Sequence, residues 1–356
     1  MKTPARIYVL GALGLAAYGL VRLAPPRRAE RPETERRAAE IMAASERRIR
    51  ECREERGIPP DPGIDINRTG LIVRLLEEAG VERGDAVALG ASSSFPGAIL
   101  AVLSAGAAMD LNILAVCSLG ASQWGANDPR FDWLDMYACA SRDGGPRAAW
   151  LALTIGGEGD VGSDLKPEGR RLITERILRT GEMFFEEPDL ARNVGRRMDL
   201  YDEAADGKPV KAFINVGGAW ANMGTDASVL RVEPGLTRVR EIPAVGSRGV
   251  LQEMASRGIP VIHVLNVAGL ASRYGLPLDP GPFPDAGGRG ANAGGTRADD
   301  PLALAAGWAY IGIVALVLGA AVISRLYRSG PGRPSDPGSD AGRLSGPRGP
   351  GPFPRS

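Results

Sequence analysis

A serine, a histidine and an aspartate that lie far apart in the chain could together carry acyl-transfer chemistry. Ser93 stands in the segment GASSSFPG, Asp160 ends the segment GGEGD, and His263 is the one histidine of the chain. A nucleophile, a base and an orienting carboxylate need only meet in space, so Ser93, His263 and Asp160 are candidate catalytic residues of a hydrolase or transferase. GASSSFPG lacks the G-x-S-x-G pattern of a nucleophile elbow, and a lone histidine in an apolar run such as PVIHVLNV is more often structural. The sequence leaves open whether the protein is an enzyme.

Four glycine-rich segments follow predicted strands, at residues 90–97, 118–127, 156–160 and 217–222. Glycine alone only permits tight turns, but ligands of open parallel sheets bind where the strands end, so four such segments together predict one polar ligand-binding mouth. Helices that begin after these segments direct N–H groups at the mouth, which favours a ligand with carboxylates. The candidate substrate-binding residues are Ser92, Ser94, Gln123, Asn127, Glu158 and Asn222.

Two acidic residues oppose an anionic ligand at this mouth. Glu158 and Asp160 would repel a carboxylate chain unless Arg170 or Arg171, which follow closely, screens them. The sequence therefore predicts a mouth whose preference for anions depends on which arginine neutralises these carboxylates.

Several functional classes have no support in the sequence. Neither G-x-x-x-x-G-K-[ST] nor G-x-G-x-x-G occurs, so no nucleotide cofactor is expected, and no cluster of metal-ligand residues predicts a metal site. The net charge of +1 gives no basic field for nucleic acid. The spacing of Cys52, Cys117 and Cys139 fits no zinc site. One disulfide, for example Cys117 to Cys139, could form if the protein lies outside the cytoplasm. Isolated cysteines, however, are more often small buried apolar groups.

The middle of the chain alternates short apolar runs with amphipathic segments. This rhythm predicts an α/β fold, a mostly parallel Rossmann-like sheet with helices on both faces. Strands are predicted at residues 86–89, 113–116, 149–155, 210–216 and 260–265, with helices at 71–79, 98–109, 167–179 and 189–205.

Each end of the chain carries an apolar segment. Residues 7–24 predict a transmembrane helix or signal anchor, the alternative being a cleaved signal peptide, and residues 302–323 predict a second transmembrane helix. Arg325 and Arg328 follow the second segment, and Lys2 and Arg6 precede the first, which predicts both termini inside the cell. We therefore expect two transmembrane helices to flank the α/β domain and to hold it in the cytoplasmic membrane, with the domain on the extracytoplasmic side.

The remaining boundaries follow from composition. The charged stretch 31–56 has the apolar spacing of an amphipathic helix and is interpreted as a solvated stalk below the α/β domain. The predicted organisation is a cytoplasmic segment at 1–6, the stalk at 31–56, the α/β domain at 57–280, a Gly-rich tether at 281–301 and a disordered Gly/Pro/Arg tail at 324–356.

Five segments resemble one known family. Residues 38–72, 118–136, 157–160, 213–224 and 259–280, which include the specific motif GASQWGAND, are similar to the poly-γ-glutamate system protein family. Members are associated with poly-γ-glutamate synthesis and export proteins at a bacterial membrane, and no established catalytic residues can be carried over from them. Family members carry a further Ser/Thr-rich stretch after the DINRTGLI element, whereas here Ile72 runs directly into the next helix.

The resemblance implies a membrane-anchored accessory component of poly-γ-glutamate biosynthesis or export that binds or processes the anionic polymer. The expected partners are the lipid bilayer, the synthesis and export subunits and the polymer itself. Two alternatives stay open: a serine-type amide hydrolase or transferase that acts on the polymer, and a structural scaffold for synthase subunits.

Overall fold

Short apolar runs separated by amphipathic segments produce the strands and helices of this chain. The computed structural model describes residues 32–58, 69–120 and 126–276, all within the compact unit Pro26–Asp299. Its strands are β1 (Ala86–Ser92), β2 (Asn112–Ser118), β3 (Asn127–Asp128), β4 (Phe131–Asp132), β5 (Ala149–Thr154), β6 (Val210–Val216), β7 (Gly235–Thr237) and β8 (Val261–Val264). Its helices are α1 (Glu33–Glu55), α2 (Thr69–Glu78), α3 (Pro96–Met109), α4 (Trp133–Ala140), α5 (Pro167–Thr180), α6 (Leu190–Ala204), α7 (Trp220–Met223), α8 (Val250–Ser256) and α9 (Val267–Tyr274).

The central sheet has six strands in the order β5-β2-β1-β6-β8-β7. Every pairing is parallel except that of β7, a three-residue edge strand that runs antiparallel to β8. The prediction of an α/β fold with a mostly parallel sheet is confirmed. The sequence did not predict β7 or the short β3–β4 hairpin, which pairs apart from the main sheet.

Helices cover both faces of the sheet, as predicted. Alternate residues of each strand point to opposite faces, so Val87 and Leu89 pack on one side with α1, α2, α3 and α4. Ala86 and Ala88 pack on the other side, where α6 and α8 complete the apolar layer. The two cores bury the apolar positions of β1 completely, which fixes the register of the central strand.

Helix α1 belongs to the α/β domain. Its residues Ala38, Met42, Ile49 and Cys52 recur at helical spacing and are at most 2% exposed, and they join the core that contains α2, α3 and α4. Its remaining positions are mostly charged. The structure therefore corrects the interpretation of this segment as a solvated stalk: the charges cover one side of a helix whose other side is core.

The predicted transmembrane helices require a correction. Among the described helices, none is long and apolar enough to cross a membrane. The predicted fold class is therefore wrong on this point, because the described structure consists of the α/β domain without membrane-spanning helices. The two segments predicted as spans, residues 7–24 and 302–323, lie outside the described residues. The same holds for the segments at 1–6, 281–301 and 324–356.

A disulfide joins the first helix to the helix that follows the hairpin. Cys52 of α1 and Cys139 of α4 are bonded, with their Cα atoms 6.4 Å apart, while Cys117 is a free thiol buried in β2. The suggested Cys117–Cys139 bridge is thus replaced by Cys52–Cys139. The sequence could not select this pair because the approach of α1 to α4 is a tertiary contact.

We predict that the Cys52→Ala/Cys139→Ala double variant loses up to about 4.5 kcal/mol of unfolding free energy, since the bridge closes a long loop in the unfolded chain. The two cysteines are 87 positions apart. Urea unfolding measures the loss. Cys117→Ala is the control that keeps the bridge, and a double variant as stable as this control would contradict the prediction.

Candidate functional site

The segments that follow β1, β2, β5 and β6 emerge side by side at the edge of the sheet where these strands end, here called the carboxyl edge. Ser92 of β1 is in register with Ser118 of β2, which is in register with Thr154 of β5. These three side chains form a polar row across three strands on the α6 side. The predicted convergence of the glycine-rich segments at one edge is therefore present for the parts that the structure describes.

A buried ion pair occupies the centre of this edge. Arg197 Nη2 of α6 lies 2.6 Å from Asp160 Oδ2, and both side chains are fully buried. Ser118 Oγ and Thr154 Oγ1 donate to Asp160 Oδ1 at 2.8 and 2.9 Å, and Asn193 Nδ2 donates to Oδ2 at 3.1 Å. The carboxylate thus accepts from four side chains, which offsets the desolvation that burial imposes on it.

The guanidinium of Arg197 also has hydrogen-bond acceptors for its other nitrogens. Its Nε donates to Asn193 Oδ1 at 2.9 Å and its Nη1 to Asn222 Oδ1 at 3.1 Å. Its Nη2 also approaches the hydroxyls of Ser118 and Thr154 at 3.2 Å. One side chain from α6 therefore connects β2, β5, the segment that carries Asp160 and the short helix α7.

The segment GGEGDVG has the backbone that this arrangement requires. Asp160 itself has a φ of 61°, a left-handed conformation that is uncommon for a residue with a side chain. Gly157 has a φ of 70°, and a Cβ at this position would lie 2.5 Å from Asp164 Oδ1. The left-handed turns fold the segment over the strand end and direct Asp160 inward to Arg197. The glycines of this segment, which predicted a ligand-binding loop, allow the backbone to bury the Asp160 carboxylate.

The three candidate catalytic residues do not assemble. Ser93 Oγ donates to the carbonyl of Leu119, His263 Nδ1 lies 3.1 Å from Asn215 Nδ2, and Asp160 is bound to Arg197. His263 is in register with Asn215, and Asn215 with Gly90, three residues before Ser93. Two strand spacings and three residues of rise separate Ser93 and His263 by about 14 Å between Cα atoms. The structure provides no Ser93–His263–Asp160 relay.

Burial also shifts the pKa values of His263 and of the Cys117 thiol. Burial lowers the pKa of His263 to about 4, so the imidazole is neutral. Burial likewise raises the pKa of the Cys117 thiol to about 12, which keeps it protonated and unreactive.

The candidate substrate-binding residues divide by exposure. Ser92 and Asn222 are completely buried, Ser94 is half-buried and within 2.7 Å of Ser92 Oγ, and Glu158 is exposed. Gln123 lies outside the described residues, and Asn127 lies in β3 with its side chain likewise undescribed. Of the described candidates, only Ser94 and Glu158 reach solvent.

The arginines expected to screen the acidic residues are engaged elsewhere. Arg170 donates to the carbonyl of Val161 and pairs with Glu186, and Arg171 pairs with Glu175. Arg197 neutralises Asp160 instead. Of the two acidic residues of this segment, Asp160 is buried and paired, whereas Glu158 is exposed to solvent at the carboxyl edge.

The strand order reverses between β1 and β6, the point at which ligands of open α/β sheets normally enter. Here the crevice is filled by the chain itself. A Cβ at Gly90 would lie 2.6 Å from Asn222 Nδ2 and 2.8 Å from Phe213 Cζ, and a Cβ at Gly217 would lie 2.8 Å from Ser92 Cβ. Packing of these groups leaves the surface of the carboxyl edge, rather than the crevice, for a ligand larger than a water molecule.

Sequence reasoning missed Asn193 and Arg197. A signal was present: both residues lie on the same side of α6 as Val194, Met198 and Tyr201, whose side chains are core. Polar residues four positions apart on the apolar side of a helix indicate a buried polar cluster.

Comparison with known proteins identifies no family. No family model matches the chain, and no curated protein matches it. Among solved structures, the chain is similar to an O-ureido-L-serine-bound mutant of O-ureido-L-serine synthase at 14% identity, over 60% of this chain and 70% of that chain, with a TM-score of 0.18. A similarity of that size carries no argument about fold or function.

We predict that Arg197→Met costs about 3–5 kcal/mol of unfolding free energy, because it leaves the Asp160 carboxylate buried without its counterion. The double variant Arg197→Met/Asp160→Asn removes both charges and should lose less than the sum of the two single variants. Urea unfolding of the four proteins gives the coupling. Additive losses would show that the two side chains do not stabilise each other.

We predict that Gly90→Ala destabilises the protein, since the added methyl group displaces the Asn222 amide and the Phe213 ring; overpacking of this kind costs about 1–3 kcal/mol. Gly195→Ala is the matched control, because a Cβ at Gly195 in α6 meets nothing within 4 Å. Helix propensity should make that variant neutral or slightly more stable. Equal melting temperatures of the two variants would refute the close packing over Gly90.

Proposed function

We propose that this chain is an accessory component of bacterial poly-γ-glutamate production that binds the anionic polymer and does not cut it. The resemblance described above supports the choice of polymer. Its segments include Gly157–Asp160 and residues 213–224, and these form the carboxyl edge around the buried ion pair. Two of the segments that carry the resemblance therefore contribute residues to this edge.

The three candidate catalytic residues lie apart and have other partners, and this observation favours binding of the polymer over its cleavage. Nucleophilic catalysis requires a base within hydrogen-bond reach of the nucleophile. Ser93 and Asp160 each have other hydrogen-bond partners, and His263 lies two strands away from β1. The geometry therefore favours a binding component over an amide hydrolase.

The carboxyl edge includes groups suited to carboxylates. Helix α3 begins here, with Phe95 at its N-cap and no side chain that caps its first turn. The positive end of the helix dipole favours an anion. The partly exposed Ser94 hydroxyl lies beside this helix start. Because Arg197 neutralises Asp160, Glu158 is the carboxylate of its segment that opposes such a ligand.

The disulfide supports a location outside the cytoplasm. Structural disulfides persist in oxidising compartments, whereas reducing systems keep cytoplasmic thiols free. Cys52 and Cys139 are each 1% exposed, so the bridge lies within the core. A polymer-binding domain that meets its ligand during export would work in such a compartment.

We predict that the full-length protein binds short γ-glutamate oligomers at low salt and that the affinity falls as salt rises. Glu158→Gln should tighten binding about fivefold, the size expected when repulsion of roughly 1 kcal/mol near a solvated surface is removed. Glu203→Gln is the matched control: it removes the same charge near the end of α6, away from the carboxyl edge. Fluorescence anisotropy with labelled oligomers measures both.

Two outcomes would contradict the proposal. Failure of the folded protein to bind oligomers at low salt would remove polymer binding and favour the scaffold alternative. Release of shortened oligomers by wild type but not by Ser93→Ala would show that the protein is a hydrolase.

A further inference from the structure

Two buried amide atoms at the carboxyl edge have no hydrogen-bond partner within the described part of the chain. They are Asn215 Oδ1 and Asn222 Nδ2, and both side chains are completely buried. A buried polar atom without a partner costs about 1–3 kcal/mol, so two such atoms require an explanation.

The two atoms project into the same small region, at the switch point between β1 and β6. Asn215 is in register with Gly90, which places its side chain on the same face as the position above Gly90. Asn222 Nδ2 occupies that position, 2.6 Å from where a Gly90 Cβ would be. Asn215 Nδ2 also lies 3.5 Å from the sulfur of Met223, the neighbour of Asn222. The unpartnered acceptor and the unpartnered donor therefore belong to adjacent amides.

The orientation of each amide is fixed by its other contacts. Asn222 Oδ1 accepts from Arg197 Nη1 at 3.1 Å, so a reversed amide would bring two donors together. Asn215 Nδ2 donates to the carbonyl of Gly217 at 2.9 Å, so a reversed amide would bring two acceptors together. The donor Asn222 Nδ2 and the acceptor Asn215 Oδ1 are therefore the two atoms that lack a hydrogen-bond partner among the described residues.

We propose that one ordered water molecule bridges these atoms, accepting from Asn222 Nδ2 and donating to Asn215 Oδ1. Water is the neutral group of this size that both donates and accepts, and buried waters typically serve otherwise unsatisfied polar groups. This binding site is independent of the proposed polymer surface.

The water completes a chain of hydrogen bonds across the sheet. The chain runs from Asp160 through Arg197 and Asn222 to the water, and then through Asn215 to His263. Because the Asn215 amide nitrogen is the donor, His263 Nδ1 is the acceptor, and the neutral ring carries its proton on Nε2. His263 is then held as a hydrogen-bond donor at Nε2 and is no base at Nδ1.

The single histidine makes the orientation directly measurable. ¹⁵N NMR of the full chain labelled at histidine should show one neutral imidazole with Nδ1 unprotonated and Nε2 protonated at pH 7. Protonated Nδ1 would place Asn215 Oδ1 against the ring, give that atom a partner and overturn the proposal. Asn215→Asp, which replaces the donor with an oxygen, should move the proton to Nδ1. Asn193→Asp, which adds a carboxylate at Arg197 without touching His263, should leave the tautomer unchanged.

The water itself is tested on the wild-type protein, so no variant needs to fold. A high-resolution crystal structure of the full chain should show a density peak about 2.7–3.2 Å from both Asn215 Oδ1 and Asn222 Nδ2. Direct contact between the two amides, or a site without density in a well-ordered core, would overturn the proposal.

Discussion

The buried ion pair of Arg197 and Asp160 is the interaction on which the carboxyl edge depends. Two charges removed from water are stable only when each hydrogen-bonding position is satisfied. That requirement explains the hydroxyls of Ser118 and Thr154 at the ends of neighbouring strands and the amide of Asn193 one helical turn before Arg197. It also explains why the segment after β5 takes a left-handed path that brings Asp160 inward.

The same constraint limits what the site can do. Asn222 is held against Arg197 above Gly90, so the crevice between β1 and β6 is filled by side chains that serve the ion pair. An edge held in this way is compatible with the proposed recognition of an extended ligand along its surface. It does not suit chemistry that needs a nucleophile and a base to meet, because the charged and polar groups that could activate Ser93 are already hydrogen-bonded within the edge.

The sequence predicted the repetitive features of the fold and missed those that depend on tertiary contacts. The apolar runs of β1, β2, β5, β6 and β8 predict these strands directly, and Pro167 indicates the start of α5. The three-residue strand β7 has no periodicity to detect. The stripe formed by Ala38, Met42, Ile49 and Cys52 is narrow within a charged helix, so the sequence of α1 resembles that of a solvated helix. Asp160, predicted to line a mouth at the carboxyl edge, is buried there instead. Its partner Arg197 lies 37 positions away, and only the packing of α6 on the sheet brings the two together.

One ion pair holds two separate segments, residues 156–162 and 217–224, at the carboxyl edge. Native-state hydrogen exchange of wild type and Arg197→Met tests it most directly, because exchange reports local opening residue by residue. In Arg197→Met, we expect the amides of both segments to lose protection together and by more than those of α1 and α3 on the opposite face. A uniform loss over the whole domain, or loss in only one of the two segments, would contradict it.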